Sequence, residues 1–183
     1  MSLEENVRLV REKMAAAARE AGRDPADITL VAATKVQTDE TIRGVIAAGV
    51  TICGENRVQE MTAHLETDTY AGAELHFIGH LQTNKVRQVV GRVDLIESVG
   101  SEHLLNAVEK EAAKLNLVQD ILIEVNVGGE ESKSGISPAQ VPALAQTAAQ
   151  LPHIRLRGLM AIPPCGWPGR KSTLFPGNES AFY

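Results

Sequence analysis

ITLVAATK (residues 28–35) runs into TDETIRGVIAAG (residues 38–49), and the reading of this pair decides the fold. The first segment is apolar, of strand length, and ends on Lys35. The second carries Ile42, Val45 and Ile46 on one helical face, with Thr38 as a candidate N-cap and Gly49 as a stop. A strand followed at once by an amphipathic helix predicts a parallel sheet, because parallel neighbours need a crossover connection.

The same rhythm repeats along the chain. Strand-like TICGEN (51–56), LHFIGH (75–80), VDLIESV (93–99), DILIEVNV (120–127) and IRLRGLMAI (154–162) alternate with helical RVQEMTAHLE, QTNKVRQVV, SEHLLNAVEKEAAKL and SPAQVPALAQTAAQL. Ser101 and Ser137 are placed to cap the last two, with Pro138 in a first helical turn. An additional helix precedes the first strand over residues 3–21, with Leu3, Val7, Val10, Met14 and Ala17 predicted on its apolar face and Gly22 as its end.

Two α/β architectures share this alternation, an open doubly wound sheet and a (β/α)8 barrel of the TIM type. No GxGxxG follows the first strand, which removes the main support for a dinucleotide-binding sheet. Polar residues recur where strands end, at Lys35, Glu55, Asn56, His80, Glu97, Ser98 and Asn126. A barrel brings such ends to one mouth, where its chemistry is done, so the barrel with an extra N-terminal helix is the preferred reading. About six strands can be counted where a barrel of this type has eight, so roughly the last two βα units are expected to be missing. The rhythm stops near Pro163. We therefore divide the chain into an incomplete barrel, 1–164, and a tail of foreign composition, 165–183, which holds Trp167, Phe175, Phe182 and Tyr183.

The composition is that of a folded globular protein: 44% hydrophobic and 22% charged over 183 residues. A net charge of −5 and a pI near 5.6 argue against a nucleic-acid partner. Cys53 and Cys165 form no CxxC and no zinc spacing, which fits a reducing cytoplasm. The N-terminus lacks a signal-like apolar core, and no segment has the length of a membrane span.

Each candidate residue has two readings. Lys35 is either where the chain meets water or an amine held in a pocket of low polarity for attack on an aldehyde. GENRVQE (54–60) reads as a helix start with Asn56 as cap and Glu60 as a first-turn acid. His76 and His80 lack metal-ligand spacing, and a lone histidine is more often a satisfied core or loop residue. EVNVGGEESKSGI (124–136) reads as a flexible loop without the Walker A pattern, and Met160 as core or pocket wall.

Taken together, VAATKVQ, GENRVQE, HFIGHLQTNK, EVNVGGEESKSGI and RGLMAIPP closely resemble the pyridoxal-phosphate-binding family of the YggS/PROSC type, which is similar to the N-terminal barrel domain of alanine racemase. The resemblance covers about residues 5–164. It implies pyridoxal 5'-phosphate (PLP) held as an imine on Lys35, with Asn56 and Met160 near the ring and Ile78 and Asn126 as further wall residues. It also implies a monomeric carrier that buffers PLP, without robust catalytic turnover and with effects on amino and keto acids. The alternatives are a racemase-like enzyme, for which no second base faces Lys35, and a barrel fragment that binds no cofactor. Residues 163–183 match neither phosphate-holding segment expected after strands seven and eight. The resemblance therefore predicts loosened PLP binding, a truncated or frameshifted chain, and self-association through exposed barrel edges.

Overall fold

A computed structural model describes residues 2–130 and 133–162 of the chain. The proposed tail, 165–183, and with it Cys165, lies outside the described residues. The protein is α/β, with six strands and five α-helices among the described residues. It divides into two compact units. One is formed by the residues up to Glu55 together with Gln59–Leu75, the other by Asn56–Val58 together with the residues from His76 onward.

The first unit opens with α1 (Leu3–Glu20). Ser2 and Glu5 form a reciprocal capping box: the Glu5 N–H donates to Ser2 Oγ at 3.2 Å and the Ser2 N–H to Glu5 Oε2 at 2.9 Å. The inward stripe of α1 differs from the expected one. Leu3, Val10 and Ala17 are exposed, while Val7, Met14, Ala15 and Ala18 are wholly or partly covered. The expected face had a heptad spacing, which drifts around a straight helix of 3.6 residues per turn. Arg11 reaches from α1 to donate to the Gly49 carbonyl. Strand β1 is only Ala32–Ala33, far shorter than 28–35, because only these two residues pair with β2 (Ile52–Glu55), in parallel, Ala32 with Cys53 and Ala33 with Gly54. Between them lies α2 (Asp39–Ala47), capped as expected by Thr38, whose Oγ1 accepts from the Thr41 N–H, and buried through Ile42. Helix α3 (Val58–Glu66) leads to β3 (Glu74–Phe77), whose Glu74 N–H donates to the Thr51 carbonyl at 2.9 Å.

In the second unit the end of β3 pairs with β4 (Leu95–Val99), β4 with β5 (Gln119–Glu124), and β5 with β6 (Ile154–Met160), all parallel and in chain order. Phe77, Ile96, Val99, Ile121 and Ile123 are fully buried, the near-continuous apolar strand content of a sheet covered on both faces. Helix α4 (Glu102–Leu115) starts at Ser101, whose Oγ accepts from the Leu104 N–H, and buries Leu104, Leu105, Val108 and Ala112. Two expected helices are modified. Thr83–Gln88 is a 3-10 helix, with bonds from Lys85 to Gln82 and from Val89 to Val86. The segment from Ser137 splits into a 3-10 turn, Pro138–Gln140, and α5 (Val141–Ala149). Pro142 has no N–H to donate back to Pro138, so one continuous α-helix would lack a bond there.

Leu105 has 0% exposure and Leu115, on the same helix, 50%. Leu105→Ala is expected to destabilise the fold by about 2–5 kcal/mol, and Leu115→Ala by less than about 0.5 kcal/mol. Urea denaturation of both variants checks this, and equal losses would contradict the placement of the core.

Candidate functional site

Each of the five sequence-predicted site residues stands at, or within two residues of, the carboxyl end of a strand. That is the end at which parallel α/β folds carry their ligands.

In the first unit, β1 hands over to Thr34 and Lys35. Thr34 is buried and tightly held. Its N–H donates to the Gly54 carbonyl at 2.9 Å, and its hydroxyl lies 3.2 Å from the same carbonyl and 2.6 Å from Glu55 Oε1. Glu55 has 0% exposure and also accepts from the Tyr70 hydroxyl at 2.9 Å, while its Oε2 is buried without a hydrogen-bond partner. Burial, and then the Glu55 carboxylate beside it, push the Tyr70 phenol well above its ordinary range. The same two causes push the Cys53 thiol up to about 11.

Lys35 itself is exposed, in the turn after β1, and makes no hydrogen bond or ion pair with the described residues. The low-polarity enclosure imagined for it is therefore not built by the described residues around it. The next residue, Val36, has φ 61° and is 77% exposed. A β-branched residue in the left-handed region is strained. The Val36 N–H donates to Glu60 Oε2 at 3.0 Å, which fixes this backbone. Glu60 thus does more than serve as a first-turn acid.

In the second unit, Asn56 does not cap α3, because its Oδ1 is buried with no hydrogen-bond partner. Its backbone is closely packed: a Cβ on Gly79 would lie 2.1 Å from the Asn56 carbonyl oxygen, so the glycine permits the approach. Ile78, beside that glycine, is half-buried just beyond β3. Met160 is buried at the end of β6, paired with Glu124, and its carbonyl accepts from the Val125 N–H at 2.8 Å. Asn126 is the anchor of the loop after β5. Its Nδ2 donates to the Glu130 carbonyl at 2.8 Å, its Oδ1 accepts from the Glu130 N–H at 3.3 Å, and its own N–H donates to the Ile136 carbonyl. Among the described residues the loop is tied by these side-chain bonds of Asn126.

His76 and Glu97 form a buried pair, Nδ1 to Oε1 at 2.7 Å, in keeping with a satisfied core histidine. Sequence reasoning did not find the Thr34–Glu55–Tyr70 group. Its residues are 15 and 21 positions apart, and the only available signal was an acid ending an apolar strand.

Tyr70→Phe removes one of the two donors to a buried carboxylate, so it is expected to cost about 1–3 kcal/mol in urea denaturation. A variant as stable as wild type would show that Glu55 does not need the phenol. The thiol gives a pH dependence. A raised folded pKa keeps Cys53 protonated, whereas the unfolded chain ionises in the ordinary thiol range. Its contribution is full below that range and falls as pH rises towards 11. Cys53→Ala should flatten this part of the stability–pH curve, and an unchanged slope would refute the assignment.

Comparison with known proteins adds independent findings. The family described as alanine racemase, N-terminal domain, matches residues 2–174. The pyridoxal phosphate homeostasis protein of Aquifex aeolicus is 42% identical over 160 residues, 87% of this chain and 70% of that protein. A solved structure of an unknown protein from Bifidobacterium adolescentis is 38% identical with a TM-score of 0.81, over 87% of this chain and 69% of that one. The structure of PipY from Synechococcus elongatus, with PLP bound, is 31% identical with a TM-score of 0.69, over 86% of this chain and 73% of that one. No helix among the described residues is long and apolar enough to cross a membrane. These matches show that the chain belongs to the pyridoxal phosphate homeostasis protein family, which has the TIM-barrel-like fold of the alanine racemase N-terminal domain.

Proposed function

We propose that this protein binds PLP and takes part in its intracellular homeostasis, with Lys35 as the residue of covalent attachment. The observation that carries the reading is the 42% identity to a pyridoxal phosphate homeostasis protein over most of the chain. Two structural features fit the cofactor. The Lys35 amine is exposed and unpaired among the described residues, so it is accessible to an aldehyde. The buried Asn56 Oδ1 lacks a hydrogen-bond partner and is available to a donor. When bound, PLP supplies an aldehyde that takes up amines and a ring that withdraws electrons. The ring contacts proposed for Asn56, Met160, Ile78 and Asn126 rest on the family resemblance.

This chain's residues have supporting tasks. Glu55 fixes Thr34, the residue before Lys35, and Glu60 fixes Val36, the residue after it. The attachment lysine is thereby held between two anchored neighbours. A carrier is favoured over a racemase. Among the described residues Tyr70 is the tyrosine, and it is buried with its hydroxyl donating a hydrogen bond to Glu55, so it is a poor proton acceptor. One lysine alone supports proton transfer on a single face. The same reading places the protein in the cytoplasm, with amino or keto acids as secondary small-molecule partners.

The test is incubation with PLP, borohydride reduction and peptide mapping by mass spectrometry. A pyridoxyl mass on Lys35 alone, lost in Lys35→Ala, is expected. Label spread over many lysines, or absent, would overturn the attachment. Exchange of the α-hydrogen of alanine with deuterated solvent at an enzyme-like rate would favour the racemase reading instead.

A further inference from the structure

Beyond the carboxyl ends of β3, β4 and β5, wholly within the second unit, a cleft of about 410 Å3 is lined by His80, Ser98, Ser101, Glu124 and Ser134 among others. The volume suits a small molecule. None of the five residues assigned to PLP lines it.

Three features of its walls point to a ligand. Ser98 is 2% exposed and its hydroxyl has no hydrogen-bond partner, an uncompensated polar group that a ligand would satisfy. Gly100 and Ser101 form the entry to α4, a helix of 14 residues. Its capping serine serves Leu104, and the N–H groups of a first helical turn lack intrahelical partners and favour an anion. Glu124 provides the opposite charge. Its Oε2 lies so near Gly100 that an added Cβ there would be 3.5 Å away, and its carboxylate has no hydrogen bond among the described residues. Burial raises the pKa of Glu124, an effect that His80 partly offsets.

The two loops that form the walls meet glycine to glycine. A Cβ on Gly100 would fall 3.0 Å from the Gly135 Cα, so the wall spacing is set by backbone contact. A simple anion in this cleft meets Glu124, and a simple cation meets the positive end of α4. A molecule with a carboxylate beside an ammonium satisfies both walls.

We propose that this cleft binds a small zwitterionic α-amino acid, its carboxylate at the N-terminus of α4 with Ser98 and its ammonium at Glu124. None of the five residues assigned to PLP lines this cleft, so the proposal is tested without the cofactor.

The test is calorimetric titration of the PLP-free full chain carrying Lys35→Ala, so that amine exchange at the attachment residue cannot contribute. The probes are L-alanine, acetate, methylamine and inorganic phosphate. Saturable binding of alanine is expected, with acetate and methylamine each at least about tenfold weaker, as loss of one charge-assisted contact implies. Glu124→Gln should weaken alanine by about tenfold and Ser98→Ala by a smaller factor, with unchanged circular dichroism. If either variant fails to fold, the probe series on the Lys35→Ala chain still decides. No saturable binding, acetate binding as tightly as alanine, or phosphate binding more tightly than alanine would overturn the proposal.

Discussion

A carboxylate with no exposure to water is the constraint on which the first unit depends. A buried polar group left without partners is costly, so the Glu55 carboxyl has to be met by donors. Two hydroxyls, from Thr34 and Tyr70, meet one of its oxygens. These donors come from two connections: Thr34 follows β1, and Tyr70 precedes β3. One carboxylate therefore ties the end of β2 to the segment leaving β1 and to the one entering β3. Any movement of Thr34 would break two contacts to Gly54 and one to Glu55. That is why a strand of only two residues can present its last side chains in a defined place.

The strain at Val36 belongs to the same arrangement. Left alone, a valine would leave φ 61° for an extended conformation. It is held there because its N–H is bonded to Glu60, on the helix that follows β2, while Thr34 is bonded to Glu55 at the end of β2 itself. The turn that displays Lys35 is thus over-determined from both sides. Strained backbone that persists in this way is characteristic of functional turns.

The alternation of strand and helix was legible because it rests on apolar periodicity, which each segment carries in its own residues. Ser101 and Thr38 were legible as caps for the same local reason. What was not legible depended on partners. Residues 28–31 are apolar enough for a strand, but a strand exists only where a neighbour supplies its ladder, and β2 does so for Ala32 and Ala33 alone. The apolar face of α1 was misread because heptad and 3.6-residue spacings separate over five turns. Asn56 looked like a cap, since Asn before a helix usually is one, yet its side-chain oxygen stays unpaired in the structure. The left-handed turn at Val36 could not be read at all, because the cause is Glu60, 24 residues away. The contacts that hold the neighbours of Lys35 were hidden by distance along the chain.

Exposure of Lys35 among the described residues bears on the PLP attachment proposed for it. A lysine enclosed by apolar walls is suited to repeated turnover, because desolvation supplies the neutral amine at every cycle. A side chain open to water is also open to an incoming and a departing cofactor. A carrier has to load and release, and its lysine need not form or break its bond at catalytic speed. For the attachment proposed at Lys35, the feature that the described residues supply is backbone placement. Thr34 and Val36, each pinned by a different glutamate, give Lys35 that placement. The anchored turn is the structural feature on which the proposed attachment at Lys35 rests.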